Sequence, residues 1–186
     1  MALQQTPICD FGAKFIDFTL SDPDGNSFTG SELAGPNGLV VTFICNHCPY
    51  VVAIADRLAA DAKVLQAEGV GVVTIMSNDY QGYAADSPAH MKLFAEKYDF
   101  IFPYLVDETQ QVGREYGAVC TPDFFGYNAD LELQYRGRID DCRPGATADQ
   151  IAGRSTDLLD AMRLVGETGQ GPRDQIASAG CSIKWR

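Results

Sequence analysis

The residues best suited to chemistry stand together at Cys45-Asn46-His47-Cys48. Two thiols at this spacing can meet within one helical turn and close a disulfide. The attacking species in such chemistry is the thiolate. The motif lies where the apolar run Leu39 to Ile44 ends and a helical pattern begins. Unpaired backbone N–H groups and the positive end of the helix dipole are available there to hold an anion. Cys45, nearer the helix end, is expected to be the more exposed attacker, with Cys48, one turn further in, the buried resolving thiol. A protonated His47 between them would favour the thiolate. The competing use of such a pair is half of a zinc site. Zinc wants four ligands, usually from two such pairs or from a pair plus spaced histidines. This chain has one C-x-x-C and two histidines, His47 and His90. The arithmetic favours redox chemistry over a metal site and implies no organic cofactor.

The remaining cysteines are Cys9, Cys120, Cys142 and Cys181. An even total of six invites a disulfide framework, but 186 residues, 46% of them hydrophobic, can bury a core without staples. Met1 to Phe15 shows no basic segment followed by an apolar one, so the expected setting is a reducing cytoplasm. Cysteines there do chemistry more often than they staple a fold. Cys181 is a candidate third redox thiol that would resolve a bond on Cys45. Cys120, just before Thr121-Pro122, is a second candidate auxiliary thiol. The plain alternative for both is a small buried hydrophobe. Cys9 and Cys142 have no motif around them. His90 reads as a surface residue, and Asp140-Asp141 as a solvated turn rather than a metal-binding carboxylate pair. Lys plus Arg is 14 against 25 for Asp plus Glu, a formal net charge of −11. That balance disfavours a nucleic-acid partner and an anionic membrane surface. No apolar run approaches the ~20 residues of a membrane-spanning helix.

These residues need elements to hold them. Phe15 to Leu20 and Asn26 to Thr29, joined at Asp22-Pro23-Asp24-Gly25, predict a β-hairpin, followed by a short turn of helix at Ser31. Leu39 to Ile44 and Val70 to Met76 predict buried strands. Val51, Ile54, Leu58, Ala62 and Leu65 recur at helical spacing between them, up to Gly69. Ser87-Pro88 predicts a helix start, and Phe100 to Val106 a short or edge strand containing Pro103. Asp107 and Gln110 suggest a capped helix through Tyr116. Asp123 to Tyr127 and Leu131 to Arg138 predict a second hairpin. Thr147 and Gln150 predict a capping box for a helix burying Ile151, Leu158, Leu159, Met162 and Val165. Gly166 to Gly180 reads as a linker or extended tail, ending in a segment that should dock because it carries Ile183 and Trp185.

Phe43-Ile44-Cys45-Asn46-His47-Cys48-Pro49-Tyr50-Val51 and Gly180-Cys181-Ser182-Ile183-Lys184-Trp185, with Thr121-Pro122 before the second hairpin, carry a resemblance to the thioredoxin superfamily. The sequence resembles its peroxiredoxin-like, thioredoxin-like subfamily, of the alkyl hydroperoxide reductase/thiol-specific antioxidant type. The resemblance implies an α/β fold of three layers, α/β/α, around a mixed central sheet. To this it adds an N-terminal β-hairpin, a domain over residues 1–165 and a docked C-terminal tail over 166–186. In that superfamily a cis-proline faces the C-x-x-C and the residue before it pairs with the substrate backbone. Pro122 and Thr121 hold those places here. Thioredoxins carry a buried acid where this chain has Leu39. Peroxiredoxins place Pro and Thr before the peroxidatic cysteine and supply an Arg from a later strand. Counted from Cys45, Thr42 matches, Gly38 replaces the Pro, and Arg136 or Arg138 is the candidate Arg. Copper-delivering relatives need a second cysteine where Val52 stands.

The resulting expectation is a thiol–disulfide oxidoreductase. Cys45 attacks a protein or small-molecule disulfide, Cys48 resolves the mixed disulfide, and a thiol reductant reopens the bond. The first alternative is a thiol peroxidase in which Cys45 forms a sulfenic acid resolved by Cys48 or Cys181. The second is a non-enzymatic metal-binding or redox-sensing module built on Cys45, Cys48 and His47.

Overall fold

The computed structural model describes residues 3–186; Met1 and Ala2, where the reading of the N-terminus begins, lie outside it. Ten strands and six α-helices follow one another. They are β1 (Leu3–Gln5), β2 (Thr19–Ser21), β3 (Ser27–Thr29), β4 (Leu39–Phe43), α1 (Pro49–Val52), α2 (Ala55–Ala67), β5 (Gly71–Met76) and α3 (Pro88–Lys97). Then come β6 (Tyr104–Val106), α4 (Gln111–Glu115), β7 (Cys120–Thr121), β8 (Asp123–Tyr127), β9 (Leu133–Tyr135), α5 (Ala148–Ala152), α6 (Asp157–Thr168) and β10 (Ala179–Ser182).

Seven strands form a mixed sheet in the order β3-β2-β6-β5-β4-β8-β9. The central strand β4 runs parallel to β5 and antiparallel to β8. Every β4 residue is fully buried, as expected of an apolar strand covered on both faces. Each such aliphatic or aromatic side chain contributes roughly 1.5–3 kcal/mol by its burial. Along β4 the side chains alternate between two cores. Val40 and Ile44 join Leu58, Leu65, Met91, Phe94, Leu158 and Met162 beneath α2, α3 and α6. Leu39, Val41 and Phe43 join Phe18, Val112, Tyr116, Phe125 and Ile183 beneath α4 and the two ends of the chain. The thiol pair belongs to the first core.

A second, three-stranded sheet runs β1-β10-β7. It fastens both ends of the chain beside the second hairpin, with Leu3 opposite Cys181 and Cys181 opposite Thr121.

Two expected helices are each broken in two. The pattern from Cys45 to Gly69 becomes α1 and α2, separated where the Ile54 N–H turns back to the Val51 carbonyl. Thr147 and Gln150 do form a reciprocal capping box, but it opens α5, which buries no residue and stops at Gly153. The apolar helix restarts as α6. Among the described residues no helix is long and apolar enough to cross a membrane.

Candidate active site: a buried thiol pair beside Asp86

Proline decides where the helix begins. Pro49 has no N–H to give and a φ suited to the first turn, so it occupies the first helical position and makes Cys48 the N-cap. The positive end of α1 therefore meets Cys48, while Cys45 sits one step back, in the loop after β4. Both residues are buried, Cys45 at 1% exposure and Cys48 at 0%. Cys45 is the less buried of the two by this small margin only, not an accessible attacker, and the expectation that the helix dipole stands behind it is corrected, because the helix starts at Cys48.

Thr121 touches both sulfurs. Its Oγ1 lies 3.3 Å from Cys45 Sγ, and its carbonyl oxygen 3.1 Å from Cys48 Sγ. The Thr121–Pro122 bond is cis. The two thiols share a hydrogen bond, which raises the pKa of Cys45. Burial and the negative charge of Asp86 push it in the same direction. That shared bond, with the Cys181 thiol, the Cys181 N–H and the Val51 N–H, instead lowers Cys48 to about 5 against the opposing effect of burial. These effects disfavour a thiolate on Cys45 and favour one on Cys48. The Thr121 carbonyl acts the other way, since it accepts from a protonated Cys48.

Asp86 is the residue that the sequence did not disclose. It lies in a single 3-10 turn (Ala84–Asp86) ahead of α3 and is fully buried. Its Oδ1 accepts from the backbone N–H groups of Asn46 at 2.8 Å and His47 at 3.3 Å. Its Oδ2 accepts from His47 Nδ1 at 2.7 Å and Asn78 Nδ2 at 2.9 Å. A carboxylate only accepts, so His47 carries its proton on Nδ1. Its buried Nε2 then has no hydrogen-bond partner. The His47 ring stacks on Tyr83, with centroids 5.3 Å apart. Asn46 is held in turn by the Tyr104 hydroxyl at 3.0 Å. The loop between the two cysteines is thereby fixed from three sides. His47, expected to act on the thiolate directly, is instead bound to the carboxylate that disfavours a thiolate on Cys45.

Cys45, His47 and Asp86 also bring three potential metal-ligating atoms within 4.8 Å of one another. Both Asp86 oxygens are already engaged by two donors each, so its present role is to organise the loop.

The other candidates separate clearly. Thr42 lies on β4, fully buried, and its hydroxyl makes no hydrogen bond; it does not hold a sulfur here. Arg136 lies outside the site. Its guanidinium reaches Asp123 Oδ2 at 3.0 Å and the Gly117 carbonyl at 2.8 Å, and covers the Phe125 ring in the core on the opposite sheet face. Arg138 pairs with Asp157 and borders a groove of about 120 Å³ beside Pro122, Tyr50, Ile54 and Ile139. Cys120 is fully buried, which raises its pKa, and its sulfur faces the Pro122 carbonyl at 3.5 Å. Asp140, expected in a solvated turn, is 3% exposed and pairs with Arg57 and Arg154. Thr121 does not offer an open edge to a substrate strand, because β10 already pairs with it.

A mixed sheet with helices on both faces, a thiol pair after its central strand and a cis-proline opposite define a thioredoxin-like redox fold. Residues 11–142 match the AhpC/TSA family, and the chain belongs to that family of thiol-based oxidoreductases. A hypothetical protein of Sinorhizobium meliloti 1021 is 38% identical with a TM-score of 0.90, covering 100% of this chain and 99% of its own. An uncharacterized conserved protein of Geobacillus kaustophilus is likewise 38% identical, with a TM-score of 0.88 over 100% and 97% of the two chains. A peroxidoxin of Mycobacterium tuberculosis shares the fold at 19% identity, with a TM-score of 0.61 over 83% and 97%. The chloroplastic peroxiredoxin Q of Populus jackii is 28% identical over 109 residues, 59% of this chain and 46% of that protein. The match thus spans less than half the length of that curated relative.

Proposed function

We propose that the protein is a dithiol oxidoreductase in which Cys45 and Cys48 cycle between two thiols and one disulfide, reducing a small-molecule disulfide. The observation that carries this reading is the pair of sulfurs after β4, both touched by Thr121 at the cis Thr121–Pro122 bond, with the surrounding donors favouring the thiolate on Cys48. The Cys48 thiolate attacks one sulfur of the substrate disulfide and forms a mixed disulfide, releasing the other sulfur as a thiolate. Cys45, losing its proton to that leaving thiolate, attacks Cys48 and releases the second substrate thiolate. A thiol reductant then reopens the Cys45–Cys48 bond, a step that suits a reducing, cytoplasmic setting. The first attacker differs from the one expected, and Pro49 is the reason. Burial of both sulfurs and the occupied Thr121 edge favour a small substrate over an extended peptide.

A second reading is peroxide reduction. Membership of the AhpC/TSA family supports it. Cys48 would then become the sulfenic acid and Cys45 would condense with it, expelling water. Turnover of bis(2-hydroxyethyl) disulfide and of hydrogen peroxide, measured side by side, tests both. Loss of disulfide turnover in Cys45→Ser and in Cys48→Ser is the expected result. Unchanged turnover in both variants would refute the dithiol reading, and rapid thiol loss to peroxide with sluggish disulfide exchange would favour the peroxidase.

A further inference from the structure

The last strand of the chain does more than close a sheet. β10 runs antiparallel to β7 with Cys181 opposite Thr121, and Thr121 is the residue that touches both working sulfurs. The approach is close enough to require glycine at the preceding position: a Cβ on Gly180 would fall 2.0 Å from the Thr121 carbonyl oxygen. On one side of Cys181 the Ser178 hydroxyl donates to the Pro122 carbonyl at 2.9 Å. On the other, the Lys184 N–H donates to Asn78 Oδ1 at 2.9 Å, and its carbonyl accepts from the Asp79 N–H at 2.8 Å. A thiol clamped on both sides is therefore held in one place. That place is beside Cys48, because Cys45, Cys48 and Cys181 share one cluster of packed side chains, and the Cys181 thiol and N–H are among the groups that lower the pKa of Cys48. Cys181 is also the outermost of the three, 5% exposed against 1% and 0%.

We propose that Cys181 is a third catalytic thiol, bonding to Cys48 and carrying the disulfide outward from the buried pair. This rests on the dithiol reading above. Once Cys45 and Cys48 are joined, the Cys181 thiolate attacks Cys48 Sγ. The Cys48–Cys181 bond forms, the Cys45–Cys48 bond breaks, and Cys45 leaves as a thiolate that takes up the proton Cys181 gave away. The exchange is internal and needs no further oxidant. It differs from the expected partnership of Cys181 with Cys45, since it is Cys48 whose thiolate the Cys181 thiol and N–H favour. It also gives the occupied Thr121 edge a use: the strand that fills it is the chain's own, and brings its own thiol.

The test is disulfide mapping after oxidation with one equivalent of diamide, which removes two electrons and two protons per bond formed. Samples are quenched with acid and an alkylating agent, digested and read by mass spectrometry. In Cys45→Ser the expected product is a Cys48–Cys181 linkage. In the wild type a Cys45–Cys48 linkage appears first and a Cys48–Cys181 linkage grows at its expense; in Cys181→Ser the first persists. Should wild type hold only Cys45–Cys48, and Cys48 and Cys181 both stay alkylatable in Cys45→Ser, the third-thiol proposal is wrong while the dithiol reading stands. Should wild type form neither linkage, both fall.

Discussion

The clearest lever on the site is the charge of Asp86, and Asp86→Asn removes it with little change in shape. Asp86 and Cys45 bring their ligand atoms within 4.8 Å. At an effective dielectric near 20, two unit charges at that separation interact by about 3 kcal/mol. At 1.36 kcal/mol per unit, the Cys45 pKa should fall by roughly two units when the carboxylate goes. The sign follows from the charge: an anion beside a thiol disfavours the thiolate, so deleting it favours deprotonation. In the intact pair a more acidic Cys45 competes for the negative charge, and Cys48 should rise from about 5. Cys48→Ser removes that competition and gives the simpler measurement. Carbon NMR of labelled cysteine Cβ atoms, titrated in Cys48→Ser and in Cys48→Ser with Asp86→Asn, reads Cys45 directly and requires no reagent to enter a buried site. The asparagine amide also faces His47 Nδ1 and Asn78 Nδ2 with a donor in place of an acceptor, at a stability loss of about 1–3 kcal/mol for each donor left unpaired. Urea titration checks that loss and sets the pH range in which the folded variant can be studied. Cys45 midpoints that agree within a few tenths of a pH unit in the two backgrounds would refute the electrostatic argument.

Three further outcomes follow from the same geometry. Gly180→Ala sets a Cβ against the Thr121 carbonyl, an overlap costing about 1–3 kcal/mol; β10 should then open more often and a thiol reagent should modify Cys48 roughly tenfold faster or more, read by peptide-resolved alkylation. Arg136→Ala leaves the buried Asp123 carboxylate without its cation, so the stability read by urea titration should drop by about 3 kcal/mol or more, while the pH profile of the Cys48 thiolate stays put; a shifted profile would bring Arg136 back into the site. The reduced protein should gain stability as pH rises from about 5 towards 9, because Cys48 is lowered from 9.0 to about 5 in the folded state. The stabilisation is complete above the unfolded value and lost as pH falls through the folded one; urea titrations of Cys48→Ser across that window should lack this gain.

The legible part of the site was local. The thiol pair, the strand before it and Thr121-Pro122 opposite were readable because each rests on neighbouring residues: an apolar run, a spacing, a proline. Pro49 is equally readable, and its first-turn preference assigns the helix dipole to Cys48. Strand alternation likewise separates Arg136 from the thiols. Phe124 and Phe125 lie on opposite faces of β8, and the guanidinium that covers Phe125 cannot also reach the thiol face. Asp86 was beyond reach, since nothing in Ala84-Ala85-Asp86-Ser87 marks a buried acid. Its burial depends on two backbone N–H groups and the His47 side chain from the cysteine loop and on the Asn78 side chain after β5, all brought together only by folding. The same holds for the edge at Thr121. A two-residue strand beside a proline looks open in the sequence, and only the glycine at 180, with room for a neighbouring backbone and nothing more, indicates that the edge is filled. In the proposed mechanism the redox motif supplies the reacting atoms, whereas the order in which they act is set by a proline on one side, a carboxylate on the other, and the strand laid across Thr121.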